Sequence, residues 1–329
     1  MNAIQCFSSY PVLCGRQACG LYEEKREIFL PEYILLGMKL SALQWRRTNG
    51  AIKLYTDSPM KKYLESQGIL NCWDLVDTEL LDSFYEECHR IDFGTFWSAG
   101  KFACYMQEKV PLVCIDTDLI VWEKLEFDET LDFAFAHWEK IEKGDESYPE
   151  LSGIHKPNDY TEWDESIFED RICQEYACNM SITYLGNEEL RKDFASRALR
   201  FMSGNEVEPD RRYAVPEILY AEQRLPLALA VKNNMSYAPI LPCVWSPKRF
   251  CILSQDSCYK NWFFADLNVD RPFTHMWFHK KYLAENKAAR AEYCSNLRRY
   301  INIQEEEQQR AKTYKIEPLD QITLRHWFS

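Results

Sequence analysis

A chain of 329 residues with 46% hydrophobic and 14% aromatic residues can bury a large core, which excludes disorder and leaves one large α/β domain or two modest ones. Its net charge of −12 argues against a dedicated nucleic-acid binder, because phosphate contacts need a basic face, but leaves room for a nucleotide held at a local positive site. The N-terminal MNAIQCFSSY lacks a basic segment followed by an apolar core, and no run of 18 apolar residues occurs, so neither a signal peptide nor a membrane span is expected and a cytoplasmic location is. The 13 cysteines include no CxxC pair; Cys14 with Cys19 and Cys173 with Cys178 find no partners for a zinc site and read as reduced, mostly buried thiols.

In chain order, Ala3 to Ser8 reads as a strand ending at Ser9, Tyr10 and Pro11, and Pro31 to Arg47 as a helix with Ile34, Leu35, Met38, Ala42 and Trp45 at helical spacing. Ala51 to Thr56 alternates as a second strand. Asp57, Ser58 and Pro59 then cap a helix to about Gly68, and Asn71 to Val76 reads as a third strand. The β-α-β-α order predicts a mostly parallel sheet. Phe96 to Lys109 reads as a helix carrying Lys101. Leu131 to Ala136 reads as a strand closed by His137, and the acidic stretch from Glu142 to Asp170 as a surface excursion, either facing an acceptor or without a role. Asn179 to Leu185 is a strand, Glu188 to Met202 a helix, and Pro216 to Leu225 a helix that Pro226 should kink or end. Tyr237 to Leu241 and Phe250 to Leu253 are short strands. Pro272 to Lys281 is rich in aromatics, His and Lys, and Leu283 to about Lys315 reads as a helical tail.

The chemistry centres on Pro111 to Trp122, PLVCIDTDLIVW. An apolar strand ends in Asp116 and Asp118, and carboxylates at i and i+2 on such a strand face the same way. Side by side they repel unless a proton or a divalent cation intervenes. Oxygen ligands suit Mg2+ or Mn2+, which keep positions open for phosphate oxygens. The other reading is a turn with two solvated aspartates. Downstream stand Asn179, the acid–amide pair Glu222–Gln223, then His275 with Lys280 and Lys281.

The order of these motifs, from residue 1 to about 283, resembles the GT-A glycosyltransferases, in particular the retaining glycogenin-like and galactosyltransferase-like group. It is also similar to bacterial relatives found with surface-polysaccharide genes. The resemblance implies an α/β fold with a mostly parallel central sheet flanked by helices and a long C-terminal helix. It implies a metal-dependent, retaining transfer of a hexosyl group from a nucleotide sugar, UDP-linked by expectation, to a glycan or lipid-linked acceptor, with no nucleic acid and with peripheral membrane contact allowed. By the same resemblance Asp116, Asp118 and His275 hold Mn2+ or Mg2+, and Lys280 or Lys281 holds the leaving diphosphate. Glu222, Gln223 and Asn179 lie by the donor sugar and acceptor, while Phe7, Ser8, Tyr10, Thr56 and Asp57 form the base and ribose pocket, with Lys101 reaching the cleft. Residues 1–283 would be the catalytic domain, 142–175 an insertion or acceptor-facing region, and 284–329 a helical tail. Two departures stand out. Ser181 replaces the Gly of the Asn-x-Gly turn, and Phe278 or His279 replaces a Gly between the late His and Lys, which leaves His279 as an alternative ligand. Two other functions compete: a haloacid-dehalogenase-type phosphohydrolase with Asp116 as nucleophile, and a binding protein without turnover.

Overall fold

The structure, a computed structural model, describes residues 2–14, 28–161, 165–206, 216–241, 243–246, 249–252, 273–276 and 279–316. Its strands are β1 (Asn2–Cys6), β2 (Ile52–Tyr55), β3 (Leu75–Asp77), β4 (Leu112–Ile115), β5 (Leu119–Val121), β6 (Phe133–Lys140), β7 (Tyr176–Leu185), β8 (Tyr237–Pro239), β9 (Cys243–Ser246), β10 (Arg249–Ile252) and β11 (Phe273–His275). The helices are α1 (Tyr10–Leu13), α2 (Glu32–Thr48), α3 (Ser58–Ser66), α4 (Glu79–Glu87), α5 (Ala99–Gln107), α6 (Arg171–Glu175), α7 (Glu188–Met202), α8 (Pro216–Leu219), α9 (Leu225–Lys232), α10 (His279–Glu285) and α11 (Lys287–Ile316).

Among the described residues nine strands form one sheet, in the order β10-β9-β6-β7-β4-β1-β2-β3, with β8 also paired to β6. The half from β3 to β4 is parallel throughout. β7 inserts antiparallel between β4 and β6, and β8 and β9 run parallel to β6. This is the expected α/β architecture: a mostly parallel central sheet, helices on its faces and a long C-terminal helix. Strand side chains alternate between two apolar layers, as the two-residue period requires. Leu112 and Cys114 of β4 and Phe133 and Phe135 of β6 enter one layer, with Phe102 of α5 and Phe194 of α7. Val113, Ile115, Ala134 and Ala136 enter the other, with Met38 and Leu43 of α2 and Leu297 and Ile301 of α11. The tail helix is therefore part of the core, and Lys39 pairs with Glu305 at 2.6 Å along its seam with α2.

Local signals explain the helix starts. Asp57 accepts from Met60 N at 2.9 Å at the head of α3, with Pro59 in the first turn. Asn187 accepts from Glu189 N at 2.9 Å and Leu190 N at 3.0 Å at the head of α7.

Several expectations need correction. His137 does not close β6; it lies inside it, because the strand continues to Lys140 after an irregularity between Phe135 and His137. Asn179 does not open a strand at a turn; it is interior to β7, opposite His137. Asn71 to Val76 divides into a 3-10 turn, Leu70–Cys72, and β3. At Pro226 the backbone stays helical but one element gives way to another, with the proline in the first turn of α9. Tyr220–Arg224 form a π turn in which Leu225 N bonds the Tyr220 carbonyl, five residues back, and the widened register carries the chain past the missing proline donor into α9. The stretch from Glu142 to Asp170 is more than a solvated excursion, since Tyr148, Ile154, Tyr160, Ile167 and Phe168 are buried. Cys19, Leu253 and Phe278 lie outside the described residues.

Candidate active site

Asp116 and Asp118 flank the turn between β4 and β5. They are not on the strand itself, so the turn and its ties set their common direction. Asp116 N donates to the Ser181 carbonyl on β7 at 2.8 Å, and Leu119 N donates back to the Asp116 carbonyl at 3.1 Å. Buried Gln5 of β1 donates to the Asp116 carbonyl at 3.4 Å and to Ser41 Oγ at 2.9 Å, and accepts from Trp73. β5 lies off the main sheet, so its carbonyls need other donors. Ser41 of α2 donates to Leu119 O, and Gln44 donates to Trp122 O at 2.9 Å.

The other side of β5 pairs antiparallel with β11, placing His275 opposite Leu119, and Met276 N donates to the Asp118 carbonyl at 3.0 Å. That small sheet brings a late histidine to an early carboxylate. Ligand atoms of Asp116, Asp118 and His275 lie within 4.8 Å of one another, with His275 Nε2 3.7 Å from Asp118 Oδ1. Lys280 Nζ sits 2.6 Å from Asp118 Oδ2. Lys101 of α5 touches Asp116 and lies 2.7 Å from Glu222 Oε1.

The charge states follow from these neighbours. Burial alone would raise Asp118, but the Lys280 ammonium, with His275 and Lys101, holds it well below the usual carboxylate range. Burial would discharge Lys101, but Asp116 and Glu222 keep it charged. Burial pushes His275 down against the opposing pull of Asp118 and Asp116, which favours the neutral imidazole near neutral pH. Two carboxylates and a neutral imidazole fit a divalent ion such as Mn2+, and the donor set has the hard and borderline character such ions take.

A second polar group adjoins the first. The π turn sends three successive side chains to three partners: Glu222 to Lys101, Gln223 to Tyr148, and Arg224 to the Pro149 carbonyl at 3.0 Å. The Tyr148 hydroxyl also meets Glu139 Oε2, and Asn179 Nδ2 donates to Glu139 Oε1 at 2.5 Å. Asn179 Oδ1 in turn accepts from Ser181 N at 3.1 Å and Ser181 Oγ at 2.6 Å. Burial raises the Glu139 carboxyl, although Asn179 and Tyr148 partly oppose it. Glu139 and Tyr148 carry no local motif, and only their interior positions next to charge could have flagged them.

Phe7, Ser8, Tyr10, Thr56 and Asp57 gather at the carboxyl ends of β1 and β2, the same edge of the sheet to which β4 delivers Asp116. Such an edge is where open α/β sheets form their crevice. Asp57 is engaged by Ser9 N and Ser9 Oγ, both at 2.8 Å, so it shapes this corner and has little left for a ligand. Tyr10 stacks on Tyr85 with ring centres 4.4 Å apart, and Ser8 Oγ lies 2.5 Å from the Tyr85 hydroxyl. Tyr85, on α4, has no counterpart among the sequence expectations.

A family model, DUF6734, described as a family of unknown function, matches residues 1–307. The chain belongs to this family. No curated protein matches it. Among solved structures, this DUF6734 chain is similar to an apo structure of the WbbM bifunctional glycosyltransferase (TM-score 0.35, 10% identity, 67% of this chain and 37% of that one). It is similar to apo mouse xyloside xylosyltransferase 1 (TM-score 0.37, 10% identity, 73% and 85% covered). A third likeness is to galactosyltransferase LgtC in complex with donor and acceptor sugar analogs (TM-score 0.35, 10% identity, 72% and 73% covered). The chain thus spans little more than a third of the WbbM chain, and none of these likenesses assigns an activity to the DUF6734 member.

Within the DUF6734 chain, then, Asp116, Asp118, His275, Lys280, Lys101 and Glu222 converge, while Gln223 and Asn179 meet through Tyr148 and Glu139. His279 and Lys281 fall on α10, and their side chains lie outside the described part.

Proposed function

We propose that this protein is a metal-dependent glycosyltransferase that moves a hexosyl group from a nucleoside-diphosphate sugar, UDP-linked, to a glycan or lipid-linked acceptor with retention. The observation that carries the reading is the meeting of Asp116, Asp118 and His275 with Lys280, from opposite ends of the chain. Breaking a sugar–diphosphate bond builds negative charge on the departing phosphates. Asp116, Asp118 and His275 would hold a Mn2+ or Mg2+ ion, which when bound supplies Lewis-acid stabilisation of that charge. Lys280, now neutralised by Asp118, is placed to turn to the leaving phosphate once the carboxylate has another cation. Lys101 orients Asp116 and Glu222 together, which fixes the carboxylate of Glu222 for work on an acceptor hydroxyl. The β1 and β2 ends with Ser8 and Tyr10 would take the base and ribose.

In this reading residues 1–283 carry the catalysis, with 142–175 bordering the acceptor side, and the described part of the 284–329 tail braces it through α11. Among the described residues no helix is long and apolar enough to cross a membrane. A cytoplasmic site of action, with peripheral contact to a lipid-linked acceptor, fits the proposal.

The test is a thermal-shift panel of nucleoside diphosphates and their sugars with and without Mn2+. A ligand at one hundred times its dissociation constant adds about 2.7 kcal/mol. A melting point unmoved by every UDP and GDP compound in the presence of metal would sink the reading, and phosphate release from simple phosphomonoesters would favour hydrolysis by Asp116 instead.

A further inference from the structure

The groups that would read a donor sugar are all occupied from within the protein. Gln223 is held by Tyr148, Glu139 by Tyr148 and Asn179, and Asn179 by Glu139 and Ser181. We propose that Tyr148 is a resident stand-in for a sugar hydroxyl: its phenol fills the place between Glu139 and Gln223 and is displaced when the sugar ring of the donor enters.

Three observations support the exchange. The first is chemical. A phenol and a sugar hydroxyl each donate one hydrogen bond and accept others, and a carboxylate beside a side-chain amide suits either. The second is position. Gln223 follows Glu222 in the π turn, and Glu222 is joined through Lys101 to Asp116. The two polar groups are neighbours in space as well, since the Glu222 charge acts on the Glu139 carboxyl, so a sugar on a diphosphate held at Asp116 and Asp118 would reach past Glu222 toward Glu139 and Gln223. The third is the kind of segment. Glu139 and Gln223 sit on a strand and a helix, whereas Tyr148 comes from the stretch between β6 and α6, whose described residues form only short 3-10 turns. Glu139 is 2% exposed and Tyr148 3% exposed, so an incoming hydroxyl cannot bind alongside the phenol and must replace it. The link from Arg224 to the Pro149 carbonyl would keep the displaced segment tethered next to the site.

The proposal rests on the glycosyltransferase reading, and the experiment separates the two. Binding of UDP, UDP-glucose and UDP-galactose, each with Mn2+, is measured by calorimetry for the full chain and for Tyr148→Phe. Phe keeps the ring but releases Glu139 Oε2 and Gln223 Oε1 from the phenol, while Asn179 keeps its bond to Glu139 Oε1. A net hydrogen bond is worth about 1 kcal/mol, so the variant should bind a UDP-sugar about five-fold more tightly, with UDP affinity unchanged. UDP-sugar binding that is weaker or unaltered while UDP still binds overturns the role of Tyr148 and leaves the function standing. Failure of UDP to bind either protein overturns both. If Tyr148→Phe does not fold, hydrogen exchange on the unaltered protein decides: amides 145–153 should exchange faster with UDP-sugar than with UDP, and equal exchange overturns the proposal.

Discussion

Lys101 Nζ lies 2.7 Å from Glu222 Oε1 and at the same time touches Asp116, so one ammonium joins the strand-end aspartate to the π turn. Replacing it by methionine leaves two carboxylates facing one another with little water. Breaking a buried pair in this way costs roughly 3–5 kcal/mol. Lys101→Met should lower the unfolding free energy read from urea melts by that amount, and added Mn2+ should recover part of it. Glu222→Gln should cost less, because Lys101 keeps Asp116.

Asp118→Asn tests the cation directly. The amide keeps the shape but loses the charge that binds both Lys280 and a divalent ion. The variant should show no Mn2+-dependent rise in melting temperature, and the unaltered protein should lose its own rise on adding EDTA. In a transfer assay the loss should be on the order of a hundred-fold or more, as for removal of other groups that stabilise developing charge.

His137 gives a pH dependence of known sign. Burial lowers it from the ordinary imidazole range to about 3. Between that value and the unfolded value near 6.5 the unfolded chain binds more protons than the native one, so the stability is present above pH 6.5 and is lost as pH falls toward 3. The unaltered protein should lose about 2 kcal/mol between pH 7 and pH 5 that His137→Gln does not, read from urea melts at both values.

Gly186 is confined by backbone. A Cβ there would stand 2.2 Å from the Leu131 carbonyl oxygen, while its N–H bonds the Asp132 carbonyl at 2.9 Å. Neither partner can yield as a flexible side chain would. Gly186→Ala should cost about 1–3 kcal/mol in chemical denaturation.

What the sequence discloses here is what local pattern encodes. The apolar run Leu112 to Ile115 before two aspartates is visible because burial on both faces of β4 leaves no polar position until the strand ends. His275 and Lys280 are visible only by their order after the other motifs, since the β5–β11 pairing that delivers them joins segments remote in the chain. Glu139 and Tyr148 are hidden for a related reason. Glu139 meets Asn179 through the irregular register of β6 on β7, and Tyr148 arrives from a stretch without periodicity. Pro226 marks a missing donor and a change of element at Leu225, but does not reveal that a π turn shifts the bonding pattern just before it.

The pairing of β11 with β5 has a consequence for the order in which the molecule is made. A ribosome delivers Asp116 and Asp118 long before Phe273–His275 and Lys280 emerge, so the growing polypeptide holds the aspartates of the cleft without half of its counter-charges. On the proposed reading, cation capture would be postponed until translation has passed α10, and a message cut short before that point would leave Asp116 and Asp118 without His275 and Lys280.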